Sequence, residues 1–384
     1  MNQVRFGIVG LGSMGLDHAE TILRDGKEVR LCAVATGSAE HAGRLRALPG
    51  GEAVHVFATP EQMYESGEID AVLIATPHRL HAGQAAKAFE AGIHVLLEKP
   101  TGVCTKEVRA LHQVADRSGL AFGVMFNVRT NPAYARMKRI VSSGELGEIR
   151  RTSVIVTDIL RAQSYYDAGA WRATWKQDGG GVLLNQAPHN LDLWQWICGM
   201  PVRVRAFCGF GRWHDIEVED DVTAYVEYKN GATGTFIACT GEVPGTNRFE
   251  ISLDGGQLVY EGGRLKMTTS RIPAGRFIRE FEGGFGKPET DVQDITPDSP
   301  NPMHAGVIRA FARHILYGEE MVADGREGLY SLELSNAMLL SSWTGNTVEL
   351  PFDDDLFARM LEERAAKSPE KQVKPIRLNV RNSF

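Results

Sequence analysis

The chain has 384 residues, 43% hydrophobic and 23% charged, with a formal net charge of −6 at pH 7. That length suits two domains with sizeable cores. The acidic balance argues against nucleic acid or an anionic membrane as the main partner, because both need a positive field. The apolar runs are strand-sized, so none is expected to cross a bilayer. No basic segment with a cleavable apolar stretch precedes the first apolar run, so a cytoplasmic location is expected. Cys32, Cys104, Cys198, Cys208 and Cys239 are scattered, odd in number and show no C-x-x-C pair. Neither a disulfide framework nor a metal site is therefore expected.

In chain order, Val4 to Val9 reads as a strand, followed by a glycine turn and a helix from Met14 to Asp25. Val29–Ala35, Val54–Phe57, Ala71–Thr76, Val95–Leu97 and Leu120–Phe126 read as further strands. Helices over His81–Ala91 and Lys106–Ser118 separate the later ones. Buried strands alternating with helices predict a Rossmann-type doubly wound parallel sheet over residues 1–127. Beyond it a helix is expected over Pro132–Ser142, then mainly alternating strands: Glu148–Asp158, Val202–Phe210, Asp221–Tyr228, Thr233–Thr240, Arg248–Leu253 and Gln257–Tyr260. Asn230-Gly231 and Asp254-Gly255 signal hairpins. A helix is expected at Leu183–Ile197, and late helices at Pro302–Tyr317 and Arg326–Gly345; the tail from Pro351 is charged and weakly patterned. Residues 128–384 thus read as an α+β domain with a large, mainly antiparallel sheet. Its late helices and tail are candidates to pack back on the first domain.

Gly10-Leu11-Gly12-Ser13-Met14-Gly15 is G-x-G-x-x-G between a strand and a helix. The first glycine makes the turn, the second admits a pyrophosphate, and the third lets helix and strand pack closely. Phosphate oxygens would bind the free N–H groups at the helix start. No acid closes the second strand; Thr36-Gly37-Ser38 follows it. Small hydroxyl residues leave room for a 2′-phosphate, within reach of Arg44 or His41, so the reading leans slightly to NADP over NAD. The alternative is a plain turn that accepts either cofactor.

Lys99 ends a parallel strand, where open α/β sheets hold ligands. An ammonium there can stabilise a developing alkoxide, or it can be an ordinary solvated lysine. The proline after it, Pro100, is a candidate for a cis bond. In Gly179-Gly180-Gly181-Val182-Leu183-Leu184-Asn185-Gln186-Ala187-Pro188-His189, a helix would put Asn185, His189 and Asp192 on one face. His189 then suits proton transfer, with Asn185 orienting its ring; the alternative is a structural histidine. Pro188 belongs in a first turn, so the helix starts late or kinks there. Trp171, Arg172, Trp175 and Lys176 form a polar aromatic loop suited to polyol recognition, or to loop anchoring. Tyr165-Tyr166 precede it. Asn127 and Arg129 point to the cleft mouth, and Asp158 is a substrate ligand or a surface acid.

The glycine turn with His18-Ala19, the stretch Thr76-Pro77 to His81, the Ala91-Gly92-x-His94-Val95-x-x-Glu98-Lys99-Pro100 block, and the triple glycine leading to His189 carry a resemblance. The chain resembles the glucose–fructose oxidoreductase / inositol dehydrogenase (Gfo/Idh/MocA) family from the first strand to about residue 345. The resemblance implies a Rossmann domain, a C-terminal sheet that forms homo-oligomer contacts (dimer or tetramer), and redox chemistry on sugars, cyclitols or related polyols. It assigns Lys99 and His189 the catalytic lysine and histidine roles. It also places Thr76, Pro77, His81, Glu98, Lys99 and Asn127 at the cofactor. One departure matters: the family commonly has aspartate where this chain has Asn185. Asparagine cannot stabilise imidazolium by charge, so His189 is expected to have a lowered pKa, and either His189 or Lys99 can be the proton acceptor. Two other functions compete. One is a redox-neutral enzyme that keeps NAD bound and cleaves glycosides through transient oxidation. The other is a non-enzymatic dinucleotide-sensing module.

Overall fold

The computed structural model describes residues 3–296, 299–371 and 374. Its first part runs β1 (Val4–Val9), α1 (Ser13–Asp25), β2 (Val29–Ala35), α2 (Ala39–Arg46), β3 (His55–Phe57), α3 (Pro60–Glu65), β4 (Ala71–Ile74), α4 (His81–Glu90), β5 (His94–Leu97), α5 (Thr105–Ser118) and β6 (Phe122–Val124). All four residues of β4, Ala-Val-Leu-Ile, are buried, as a strand covered on both faces requires. Helices α1 and α5 stop at Gly26 and Gly119, both left-handed. The six strands pair in the order β3-β2-β1-β4-β5-β6. The order reverses between β1 and β4, and open sheets of this kind take ligands in the crevice at that point.

The second part runs α6 (Pro132–Ser143), β7 (Ile149–Val156), α7 (Gln163–Asp167), α8 (Pro188–Cys198), β8 (Arg203–Phe210), β9 (Glu219–Glu227), β10 (Thr233–Cys239), β11 (Asn247–Leu253), β12 (Gly256–Glu261), β13 (Arg264–Ser270), α9 (Ala274–Glu280), β14 (Thr290–Ile295), α10 (Met303–Tyr317), α11 (Gly328–Thr344), β15 (Val348–Glu349) and α12 (Asp354–Ala365). Its nine strands pair as β14-β13-β12-β11-β7-β10-β9-β8-β15. Neighbours are antiparallel except β7 with β10. Val222, Ala224 and Val226 of β9 share a core with Leu193, Trp194 and Leu339 of α8 and α11. The alternate positions Tyr225 and, on β8, Phe207 are exposed.

Strands β13 and β14 and helix α12 lie where the sequence showed no clear pattern. Their polar outer faces dilute the hydrophobic signal. The fully buried residues of α12 are Phe357, Leu361 and Ala365, and Asp353 caps its start.

Two late helices tie the parts together. Val307, Ile308 and Phe311 of α10 pack on the parallel sheet, with the Phe311 ring 6.2 Å from that of Phe6. On α11, Asn336 accepts from the Thr105 N–H at 3.1 Å and donates to the Val103 carbonyl at 3.2 Å. That clamp fixes the loop that follows Lys99-Pro100 against the second sheet.

Candidate active site

The glycine turn divides its labour as the fingerprint requires. Gly10 sits at φ +89°, and a Cβ there would meet the Ala75 carbonyl at 2.8 Å. A Cβ on Gly15 would lie 1.9 Å from the Gly10 carbonyl, so helix and turn are in direct contact. A Cβ on Gly12 meets nothing within 4 Å. That open backbone begins α1, which has no side-chain cap and no acid in its first turn. The N–H groups at Ser13, Met14 and Gly15 are therefore left for a ligand. Leu11 is buried beneath them. These residues fit a dinucleotide's pyrophosphate.

At the end of β2, the Ser38 N–H donates to Thr36 Oγ1 at 3.2 Å, and Ser38 Oγ caps α2 by accepting from the His41 N–H at 3.2 Å. Both hydroxyls act as acceptors here and keep an O–H to donate across the Gly37 turn. Arg44 is exposed on α2.

His81 begins α4, behind the Thr76-Pro77 turn. It is 1% exposed, with its ring nitrogens 2.7 Å from the carbonyls of Thr76 and Pro100. Burial and the neighbouring His78 push its pKa down to about 4 against those carbonyls. His81 is therefore lodged between the Thr76-Pro77 turn and the cis Lys99–Pro100 bond, and its single N–H as a neutral imidazole donates to one of the two carbonyls. Glu98 is likewise buried and engaged. It lies 2.6 Å from His18 Nε2 and accepts from the Lys99 N–H at 3.0 Å. Burial raises its pKa, but the His18 hydrogen bond and the charges of His18 and Lys99 outweigh that and hold it at about 2. From α10, the His304 ring stands 5.1 Å from His18. Neither histidine was assigned a role from sequence.

Lys99 Nζ donates to the backbone carbonyl of Asn185 at 3.2 Å. Burial lowers its pKa, while the charges of Glu98 and Asp178 support the ammonium and Arg161 opposes it. His189 packs edge-on to Phe126, with centroids 6.2 Å apart. Its Nδ1 is buried without a hydrogen-bond partner. Burial, then the charge of Lys99, pushes its pKa well below 6.5. The Lys99 charge thus bears on the imidazole.

The segment carrying Asn185 and His189 is not one helix. Val182–Gln186 forms a wide π-type turn, and α8 begins at Pro188. The glycines before it make room for backbone. A Cβ on Gly181 would sit 1.9 Å from the Glu219 carbonyl. Glu219 Oε1 accepts from the Gly181 and Leu183 N–H groups at 2.8 and 3.0 Å. The expected shared face is thereby broken, and Asn185 does not orient His189. Its amide donates instead to buried Asp178 at 3.2 Å, and its oxygen accepts from Tyr165 OH at 3.4 Å. Asp178 also accepts from the Ala173 N–H at 2.7 Å and lies 2.9 Å from His78 Nδ1. His78 and Asp178 were missed because nothing local marks them; a lone aspartate before a triple glycine reads as a turn residue.

Other expected substrate contacts separate. Arg129 is 4% exposed, bonded to Asp192 at 2.8 and 2.6 Å and to Glu327 at 2.6 Å. It is a buried structural cation and not a substrate ligand. Trp175 is buried in the core, 5.5 Å from the Trp343 ring, which is the anchoring alternative. Lys176 is exposed, with its N–H on Ser368 Oγ at 3.2 Å. Asp158 is exposed and accepts from the Asn247 amide at 3.2 Å. Neither is brought toward Lys99 by any contact. Asn127 is 1% exposed, and its Oδ1 has no partner. Trp171 and Arg172 do join the site. Trp171 stacks edge-on to His78 at 5.3 Å, and Arg172 donates to Tyr165 OH at 2.7 Å.

A bare phosphate-ready turn at the switch point, with a half-buried lysine after β5 and a half-buried histidine at the start of α8, is the arrangement of a dinucleotide-dependent oxidoreductase. Residues 4–126 match the model of the oxidoreductase family with an NAD-binding Rossmann fold, and residues 134–259 match the GFO/IDH/MocA C-terminal domain. The chain belongs to the Gfo/Idh/MocA family. It is 27% identical over 365 residues to scyllo-inositol 2-dehydrogenase (NAD(+)) of Bacillus subtilis, covering 91% of this chain and 97% of that one. A match to the rhizopine catabolism protein MocA of Rhizobium meliloti is 31% identical over 199 residues, but spans 52% of this chain and 58% of that protein. The WlbA dehydrogenase of Bordetella pertussis, solved with NADH and UDP-GlcNAcA, superposes with a TM-score of 0.77 at 27% identity, covering 92% of this chain and all of that one. Among the described residues no cluster is suited to a metal, and no helix is long and apolar enough to cross a membrane.

Proposed function

We propose that this protein is an NAD(P)-dependent dehydrogenase or reductase acting on a CH–OH group of a sugar, cyclitol or related polyol. The observation that carries the proposal is the Lys99 ammonium held at 3.2 Å on the Asn185 carbonyl, in the turn that leads to His189. The names of the relatives support the substrate class. A bound nicotinamide would supply the hydride acceptor or donor. Lys99 Nζ donates to the substrate oxygen and stabilises its negative charge. His189 is neutral at pH 7, because burial and Lys99 disfavour its cation. It is therefore set to accept the hydroxyl proton on oxidation and return it on reduction. Trp171, Arg172 and Asn127 bind the substrate.

Residues 1–127 serve the cofactor, with Lys99 and Asn127 turned to the substrate, and 128–384 complete the substrate side. Thr36, Ser38 and Arg44 favour NADP slightly, since free hydroxyl donors and a cation suit a 2′-phosphate. The exposed Phe207 and Tyr225 face of the second sheet suits a homo-oligomer contact, and the location is cytoplasmic.

The test is a panel of monosaccharides, inositols and glycosides with NAD and NADP, read by reduced-cofactor absorbance. One member or more should turn over. Lys99→Met should then lower kcat/KM by about a thousandfold, and His189→Ala by about a hundredfold or more. Losses below about tenfold in both variants would contradict the assignment. Glycoside cleavage without net absorbance change would put the redox-neutral reading in its place.

A further inference from the structure

Beside Lys99 stand two arginines that no carboxylate neutralises. Arg161 follows β7, and its backbone is pinned from both sides. Its N–H donates to the Thr240 carbonyl at 2.9 Å, and its carbonyl lies 2.9 Å from His214 Nε2. His214 is in turn held by buried Asp220 at 2.9 Å. The Arg161 guanidinium donates only to the Ile159 and Leu160 carbonyls, at 3.4 and 3.0 Å, and its Nε is buried without a partner. Arg172 donates to Tyr165 OH at 2.7 Å.

Both guanidinium carbons lie against the Tyr165 ring, at 5.3 Å for Arg161 and 4.5 Å for Arg172. Tyr165 OH reaches Asn185, whose carbonyl holds Lys99. The two arginines thus flank one half-buried tyrosine, which is linked through Asn185 to Lys99. Among the described residues neither arginine has an ion pair. The nearby buried acids are already committed. Glu98 takes His18 and the Lys99 N–H. Asp178 takes Ala173 and Asn185. Asp220 takes the backbone of Arg212, Trp213 and His214 besides the His214 ring.

Two half-buried guanidinium groups set against one ring repel one another, and an anion placed between them relieves that repulsion. A planar guanidinium is also the donor best matched to carboxylate or phosphate oxygens. We propose that Arg161 and Arg172 form a subsite for an anionic group on the substrate, so that the preferred sugar or cyclitol carries a carboxylate or a phosphate ester. This inference rests on the sugar-oxidoreductase reading above and names the substrate class within it. Tyr165 is the platform that spaces the guanidinium groups, and Lys99 remains committed to the reacting oxygen.

The experiment compares matched sets of substrates in gluco, galacto and manno configurations: the neutral aldose, its uronate and its 6-phosphate. Each is assayed with NAD and NADP on the wild-type enzyme, Arg161→Met and Arg172→Met. Binding to the cofactor-loaded protein is followed in parallel by calorimetry. The expected result is a preference of about tenfold or more in kcat/KM for an anionic member over its neutral partner. The preference should fall by about tenfold in each variant and weaken as salt is raised. The uronate and phosphate arms show which anion is taken. Turnover of neutral sugars with no anionic preference, or a preference unchanged in both variants, overturns the subsite and leaves the redox reading standing. Salt-sensitive anion binding that the variants lose, with no turnover of any sugar, upholds the subsite and removes the redox reading. Neither binding nor turnover overturns both.

Discussion

The two halves of the site are built from opposite materials. At the glycine turn the protein contributes backbone and leaves side chains out. Gly12 is open, while Gly10 and Gly15 are in contact with carbonyls. Around Lys99 it contributes side chains, tied through Asn185, Asp178, His78 and Tyr165, whose positions span residues 78 to 185. A site made of missing side chains is compact in sequence, because one turn supplies it. A site made of side-chain partners draws on many loops and leaves no local signature.

Substitutions can break or sharpen that contrast. At the glycine turn the larger effect should come from Gly15→Ala, whose methyl would overlap the Gly10 carbonyl at 1.9 Å. Opening the turn to admit it should cost about 3 kcal/mol in a urea melt. Gly12→Ala should leave that melt unchanged, since its Cβ meets nothing within 4 Å. It should instead raise the KM for the cofactor about tenfold by standing where the phosphates approach. Equal melts for the two variants would remove the division of labour in the turn.

On the side-chain half, Arg129→Met strands Asp192 in the interior. A loss of about 3 kcal/mol or more is expected by denaturation, with a modest change in substrate KM. A large KM effect with an unchanged melt would restore Arg129 as a substrate ligand. The smallest effect is electrostatic. The Asp178 charge supports the Lys99 ammonium, so Asp178→Asn should lower the Lys99 pKa. The alkaline limb of the pH–rate profile should then move down by about half a unit or more. An alkaline limb that stays in place would detach Asp178 from Lys99.

The sequence made much of the molecule readable. The parallel sheet, both hairpins and the turn at Gly10 to Gly15 rest on patterns within a few residues of one another. Lys99 was legible because its strand ends in Glu-Lys-Pro. Arg129 and Trp175 were misread because their burial depends on Asp192, Glu327 and Trp343, far along the chain. Asn185 was misread because a helical wheel assumes continuous helix. Pro188 fixes the start of α8, and the turn before it aims the amide at Asp178. The bond from the Asn185 carbonyl to Lys99 is a backbone contact, which no residue type announces.

The most direct measurement is a crystal structure of the wild-type enzyme with oxidised cofactor and a sugar that it turns over. One substrate oxygen should lie within about 3.2 Å of both Lys99 Nζ and a ring nitrogen of His189, beside the nicotinamide. A sugar whose reacting carbon faces away from either group would contradict the shared role of the two residues.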